Sequence, residues 1–200
     1  MTLVITYALP LVQGAVIRRK LAFTISFLGK TPQAVVARSF HQGGHQIFEG
    51  TLQTVTNDLM QCSEQRLAYP ILDLFYCRQS QYSLGLQIAK LDEALSLLTF
   101  ALQQAARLQP YLRANVQEVI NQYLYRTESK ASKREVEVPP LSSTKFLAER
   151  QLPLLAAEEI DAGFESVRPR RLRLRNMVRG EGWRWLEVER VGQDTDLEEE

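Results

Sequence analysis

Histidines and glycines meet in one short stretch that has the spacing of a metal site. His41 and His45 are four positions apart, as two metal ligands on one helix face would be. Gly43 and Gly44 lie between them and disfavour a helix at this point. We therefore expect two solvent-exposed histidines and no bound metal.

Paired acids and cysteines are the other residues that could carry chemistry. Asp92 and Glu93 are adjacent on a predicted helix, where neighbouring side chains point about 100° apart and do not converge, so we expect a solvated helix face. Cys62 and Cys77 lack the spacing of a metal or redox motif and are expected to be reduced core residues. The sequence has no glycine-rich phosphate loop and no nucleophile beside a base. It predicts a protein that is not an enzyme and holds no cofactor.

Arginines are concentrated between Arg168 and Arg190, with two tryptophans among them. Three interpretations are open. The cluster can lie against lipid head groups or a partner, it can bind nucleic acid, or it can pair with glutamates nearby and with the acidic C-terminal tail. Nucleic acid is the least favoured of the three. The candidate lipid or partner contacts are Arg170, Arg171, Arg173, Arg175, Trp183 and Trp185.

The first twenty residues dominate the hydropathy pattern of the chain. Residues 2–17 carry no charge, and Arg18, Arg19 and Lys20 come directly after them. An apolar run that ends in a cationic cluster is typical of a helix leaving a membrane on its cytoplasmic side. These three residues are therefore candidate membrane-interface cations. Because the run is at the short limit for crossing a bilayer, a buried helix of a soluble core is the alternative.

Two residues inside this run give the predicted helix a candidate hinge. Pro10 lacks a backbone donor and clashes with the preceding turn, which favours a bend. Gly14, one turn later, adds a position without a side chain. A bend at these residues would suit a helix whose first half moves relative to the rest of the chain.

Apolar periodicity predicts a mainly α-helical fold for the rest of the chain. Thr31 and Pro32 have the residue types of a helix start. Amphipathic patterns cover 45–67, 84–108 and 111–125, and the last two helices are expected to pair in antiparallel fashion.

Residues 169–191 fit either a β-hairpin or a helix that ends at Gly180.

The predicted organisation has five parts. The parts are a membrane helix with its cytoplasmic continuation at 1–29, a helical bundle at 30–127, a linker at 128–144, a C-terminal helical segment at 145–192 and a disordered acidic tail at 193–200.

Three stretches resemble bacterial ion channels related to potassium channels. The run ITYALPLVQGAVIRRKLAFTISFLGKTPQAVV resembles their last pore helix with its cytoplasmic continuation. The run LAYPILDLFYCRQSQYSLGLQIAKLDEALSLL resembles the helical part after the pore, and RLRLRNMVRGEGWRWLEV resembles the closing segment, where a basic helix precedes a Gly-Trp turn. This resemblance favours the helix over the hairpin at 169–191. Family members also carry an earlier membrane helix and a selectivity-filter loop, which this sequence lacks.

The resemblance implies a membrane protein that does not conduct ions by itself. Its C-terminal bulk would lie in the cytoplasm at the inner membrane, where it would assemble subunits and couple their state to the bend at Pro10 and Gly14. The implied partners are membrane lipids and either further copies of the chain or channel pore subunits. A soluble helical protein–protein interaction module is the alternative function.

Overall fold

The chain folds into a mainly α-helical bundle in the computed structural model. The structure describes residues 2–40, 44–75, 77–103, 109–127 and 137–190. The helical architecture confirms the predicted fold class, which was mainly α-helical. The helices of the described ranges are α1 (Thr2–Ser26), α2 (Pro32–Ser39), α3 (Gly44–Ala68), α4 (Leu84–Phe100), α5 (Pro110–Thr127), α6 (Lys145–Glu149), α7 (Ala157–Ser166), α8 (Arg168–Gly180) and α9 (Leu186–Arg190), with short 3-10 turns at Pro70–Leu74 and Ser80–Tyr82.

Helix starts coincide with the caps that the sequence offers. Thr31 caps α2 by accepting a hydrogen bond from the backbone N–H of Ala34 at 3.1 Å, and Pro32 occupies the first helical position. Ser83 caps α4 in the same way through the N–H of Leu86. Residues 168–180 form a helix, which confirms the preferred interpretation of the arginine-rich stretch.

Helix α4 is the centre of the bundle. Every one of its residues from Leu84 to Thr99 is buried, and helices α1, α2, α5, α7, α8 and α9 pack around it. The helix expected at 84–108 ends at Phe100, because Ala101 and Gln103 form backbone hydrogen bonds with the segment around Pro153 instead. The sequence predicted that α5 pairs with α4. Helix α5 does contact α4, but it packs chiefly against α3.

One hydrophobic core joins the start and the end of the described chain. Its residues come from α1 to α9, so the predicted bundle at 30–127 and the segment at 145–190 share it. Of the linker and the acidic tail, 128–136 and 191–200 lie outside the described residues.

Helix α1 is a single helix of 25 residues. Within the part of the chain that the structure describes, no helix has both the length and the apolar character needed to cross a membrane. The membrane helix expected within 1–29 falls short of this length, because its uncharged stretch ends at Arg18. The uncharged residues before it span about 24 Å as a helix, against about 30 Å of hydrocarbon.

Candidate functional site

The candidate site is the junction at which α1 enters the bundle. Between Leu9 and Val16, α1 presents an apolar face to solvent, where Leu9, Val12 and Val16 are 58%, 60% and 59% exposed. These positions share one face because they are three and four residues apart. The second half is core, and its fully buried residues are Leu21, Ala22 and Ile25.

Pro10 and Gly14, the predicted hinge residues, both lie within α1. Gly14 is buried, and a Cβ built on it would lie 2.8 Å from Cδ1 of Leu72 in the 70–74 turn. The missing side chain therefore has a packing role, because it lets that turn approach the helix closely.

Arg18 is an internal cation. Its side chain is 11% exposed, donates to the backbone carbonyl of Leu72, and lies 3.5 Å from a carboxylate oxygen of Asp73. A carboxylate oxygen of Glu181 lies 3.8 Å from the same guanidinium. Arg18, predicted as a membrane-interface cation, instead holds α1 to the 70–74 turn and to the turn after α8.

Glu181 connects α1 to the N-terminus of α4. Its carboxylate accepts hydrogen bonds from the hydroxyl of Ser83 at 2.6 Å and from the N–H of Gly85 at 3.0 Å. An acceptor with negative charge satisfies free N–H groups at a helix start and interacts favourably with the helix dipole. Gly85 permits this close approach, since a Cβ there would lie 2.8 Å from the carboxyl carbon and would displace the end of the Glu181 side chain. One carboxylate thus links three elements.

The other two cations of the cluster lie at the surface. The guanidinium of Arg19 stacks over the ring of Tyr82, 4.1 Å from its centroid. Lys20 forms an ion pair with Asp58 of α3 at 3.4 Å. Both side chains are exposed, so both remain candidate interface cations.

Two buried ion pairs join α4 to α8. Arg170 contacts Asp92 at 3.0 Å, and Arg171 contacts Glu93 at 2.6 Å. Arg171, 1% exposed, also donates to the carbonyls of Pro139 and Pro140. The expectation of a solvated acidic pair was therefore wrong. The pairing of Arg170 and Arg171 inside the fold also contradicts their assignment as lipid contacts.

Burial sets the protonation of these acids. It raises the pKa of Glu93 to about 7, while the guanidinium of Arg171 acts in the opposite direction. The hydroxyl of Ser142 adds a hydrogen bond to the same carboxylate at 3.2 Å. Burial likewise raises the pKa of Asp92 against the influence of Arg170. The arrangement is structural, because both carboxylates face arginines and are closed to solvent.

The remaining candidate contacts, Arg173, Arg175, Trp183 and Trp185, are partly or fully buried. Arg175 donates to the backbone carbonyl of Glu137, and Arg173 is half-buried on α8. Trp185 is buried with its ring 5.9 Å from the guanidinium of Arg171, and Trp183 is half-buried against the core. The structure thus places most of the candidate contacts against the bundle, whereas Arg168, Arg179 and Arg184 of the same segment are exposed.

Groups suited to catalysis are few in the described ranges. No set of three histidine, cysteine, aspartate or glutamate side chains there could hold a metal ion. His41 and the side chain of His45 lie outside what the structure describes. Cys62 is buried, and burial raises the pKa of its thiol to about 12, which keeps it protonated.

Asp73 and Glu181 of the junction were not among the residues predicted from the sequence. Nor was Lys90 of α4, whose ammonium donates to the backbone carbonyl of Gly29 at 2.8 Å. One signal was available for α4: its sequence is apolar on nearly all sides, which marks a helix buried all round. Charged residues on such a helix need partners inside the fold.

Comparison with known proteins gives a distant match. Over 184 residues the chain is 20% identical to the uncharacterized membrane protein YdjJ of Bacillus subtilis (strain 168). The relative is a membrane protein. The match covers 92% of this chain and 54% of the relative, so the chain spans about half of the relative's length. No protein family matches the chain, and no solved structure does.

Proposed function

We propose that this chain is a non-enzymatic, membrane-associated protein in which α1 joins a membrane contact to a cytoplasmic helical bundle. The observation that carries the proposal is that one helix, α1, exposes apolar side chains at Leu9, Val12 and Val16 and buries Leu21, Ala22 and Ile25 in the core. A contiguous exposed apolar face is a feature of membrane or protein contact sites. The distant match to a protein named as a membrane protein supports the proposed association with a membrane.

Within this function, the proposed role is that of the post-pore region of an ion channel. The chain would assemble subunits and pass the state of the bundle to α1, without conducting ions by itself. The link from Arg18 through Glu181 to the start of α4 supports such coupling, because a shift of α1 would disturb all three elements. Channel pore subunits or further copies of this chain are the proposed partners, and bending at Pro10 and Gly14 is part of the same proposal.

Membrane fractionation with matched variants tests the proposal. We expect the full chain in the membrane fraction, from which detergent but not high salt releases it. Val12→Ser/Val16→Ser should move most of the protein to the soluble fraction, because both serines weaken the apolar face. The control is Ile47→Ser/Met60→Ser, which alters two exposed apolar residues of α3 and should leave the distribution unchanged. Recovery of the unmodified chain wholly without detergent would refute membrane association.

A soluble helical interaction module is the second candidate. The spacing of Leu9, Val12 and Val16 is also that of the seam of a coiled coil, which favours a partner helix. This candidate predicts a concentration-dependent oligomer in aqueous buffer and no binding to vesicles. Sedimentation with and without vesicles separates the two functions.

A further inference from the structure

The 3-10 turn Pro70–Leu74 and the residue after it expose an unusual share of apolar side chains. Leu74 is 69% exposed, and Ile71 and Phe75 are also large exposed hydrophobic residues. We call residues 70–75 the 70–75 turn. Burial of such side chains in apolar surroundings contributes roughly 1.5–3 kcal/mol each, so their exposure calls for a partner surface.

The inner side of the 70–75 turn fixes this outward display. Leu72 is fully buried beneath α1, and its carbonyl accepts from Arg18. The carboxylate of Asp73 accepts from Nε of Arg66 at 2.8 Å and lies 3.5 Å from Arg18. The acid of the turn is therefore compensated by two arginines, and the apolar side chains are left facing outward.

The 70–75 turn lies directly beside the half of α1 that is proposed to contact the membrane. Leu72 packs at Gly14, and Phe75 lines a pocket of about 180 Å³ together with Ala15 and Arg19 of α1. Along the axis of α1, the turn thus lies at the level of Gly14 and Ala15, which is between the exposed residues Val12 and Val16. Arg19 and Arg78 add exposed cations at the edge.

We propose that the 70–75 turn is a second membrane-contact element, which enters the interface of an anionic lipid bilayer next to α1. This inference rests on the proposed function and assigns its partner as anionic lipid. Charge complementarity selects the bilayer: the acid of the turn is neutralised, and exposed arginines at the edge attract anionic head groups. Two copies facing each other would bring like charges together, which disfavours self-association here.

Site-specific fluorescence tests the proposal in the full chain. An environment-sensitive dye is attached to Leu74→Cys, or separately to Val12→Cys, in a Cys77→Ser background in which Cys62 is buried. The control label is at Ile47→Cys, 72% exposed, near the opposite end of α3 and about 30 Å from the turn. Helical circular dichroism confirms that each labelled variant is folded.

Phosphatidylglycerol vesicles should shift the dye at residues 74 and 12 to an apolar signal and leave the dye at residue 47 unchanged. Phosphatidylcholine vesicles should bind more weakly, and Arg19→Gln should weaken phosphatidylglycerol binding about fivefold, as expected for one cation near the surface. Each of these results supports the proposal.

Three outcomes would overturn the inference, and the first of them leaves the proposed function intact. A signal at residue 12 with none at residue 74 would overturn the role of the 70–75 turn and leave membrane contact by α1 in place. Signals at neither position would refute both. A shift at residue 74 that depends on protein concentration and not on vesicles would show that a second copy covers the turn, and would also overturn the proposal.

Discussion

Lys90 is a charged residue held inside the core. Its ammonium donates to the backbone carbonyl of Gly29 at 2.8 Å and so ties α4 to the loop after α1. Burial lowers the pKa of Lys90 to about 7, and the nearby charge of Arg38 acts in the same direction. The folded protein therefore exchanges the ammonium for the neutral amine near neutral pH, and either form can donate to Gly29.

The pH dependence of stability should report this lysine. Because the pKa of Lys90 is lower in the folded state, this lysine binds more protons in the unfolded chain between pH 7 and 9, and its contribution to the unfolding free energy rises with pH by at most about 1.4 kcal/mol per unit. Urea unfolding at pH 7, 8 and 9 measures the slope. Lys90→Met should reduce it, whereas Lys145→Met, at an exposed position, should leave it unchanged. Equal slopes in all three proteins would contradict the assignment.

The Glu93–Arg171 pair should show strong energetic coupling. Arg171→Met leaves a buried carboxylate without its partner and should cost about 3–5 kcal/mol in urea unfolding. Glu93→Leu should cost a similar amount, because it leaves the guanidinium unpaired. The double variant should lose clearly less than the sum of the two. Additive losses would mean that the pair contributes no interaction of its own.

At the scale of elements, the sequence predicted helices from residues close together in the chain, but it did not predict the ion pairs between distant residues. Thr31, Pro32 and the apolar stripe of α3 identify their helices because caps and periodicity are local. The ion pairs between α4 and α8 join residues 78 positions apart. A single sequence does not show which arginine of the cluster faces which acid. Arg170 and Arg171 were therefore candidate lipid or partner contacts, and only nearby glutamates and the acidic tail were considered as their ion-pair partners.

Two glycines in the interiors of helices test the packing of α1 against the 70–75 turn. At Gly50 in α3 a new Cβ meets nothing within 4 Å, so Gly50→Ala should stabilise the protein by up to about 1 kcal/mol through helix propensity. At Gly14 the same methyl lies 2.8 Å from buried Leu72, and overpacking should cancel that gain. We expect Gly14→Ala to be at least about 1 kcal/mol less stable than Gly50→Ala in thermal or urea unfolding. Equal stabilisation would show that Gly14 is not needed for close packing.

At the scale of the molecule, the continuous core predicts one cooperative transition. Both tryptophans lie near the C-terminus, and Trp185 and α8 pack into the core around α4. Tryptophan fluorescence and helical circular dichroism should therefore give the same unfolding midpoint. Arg171→Met should lower both midpoints together. A separate, earlier fluorescence transition would show that residues 145–190 unfold as an independent unit.

The 70–75 turn was the part of the proposed membrane contact least accessible to sequence. The apolar run of α1 was visible, but the turn lies against α1 only because Leu72 packs at Gly14. Short apolar segments such as PILDLF are read as core by composition alone.

The double engagement of Glu181 makes the bundle sensitive to the rotational setting of α1. Turning α1 by a single residue step, about 100°, would carry Arg18 off its two acidic neighbours. Glu181 would then lack its arginine partner at the start of α4, and only its hydrogen bonds with Ser83 and Gly85 would hold it there. A rotation of α1 about its axis would therefore change the electrostatic environment at the start of α4 through one carboxyl group.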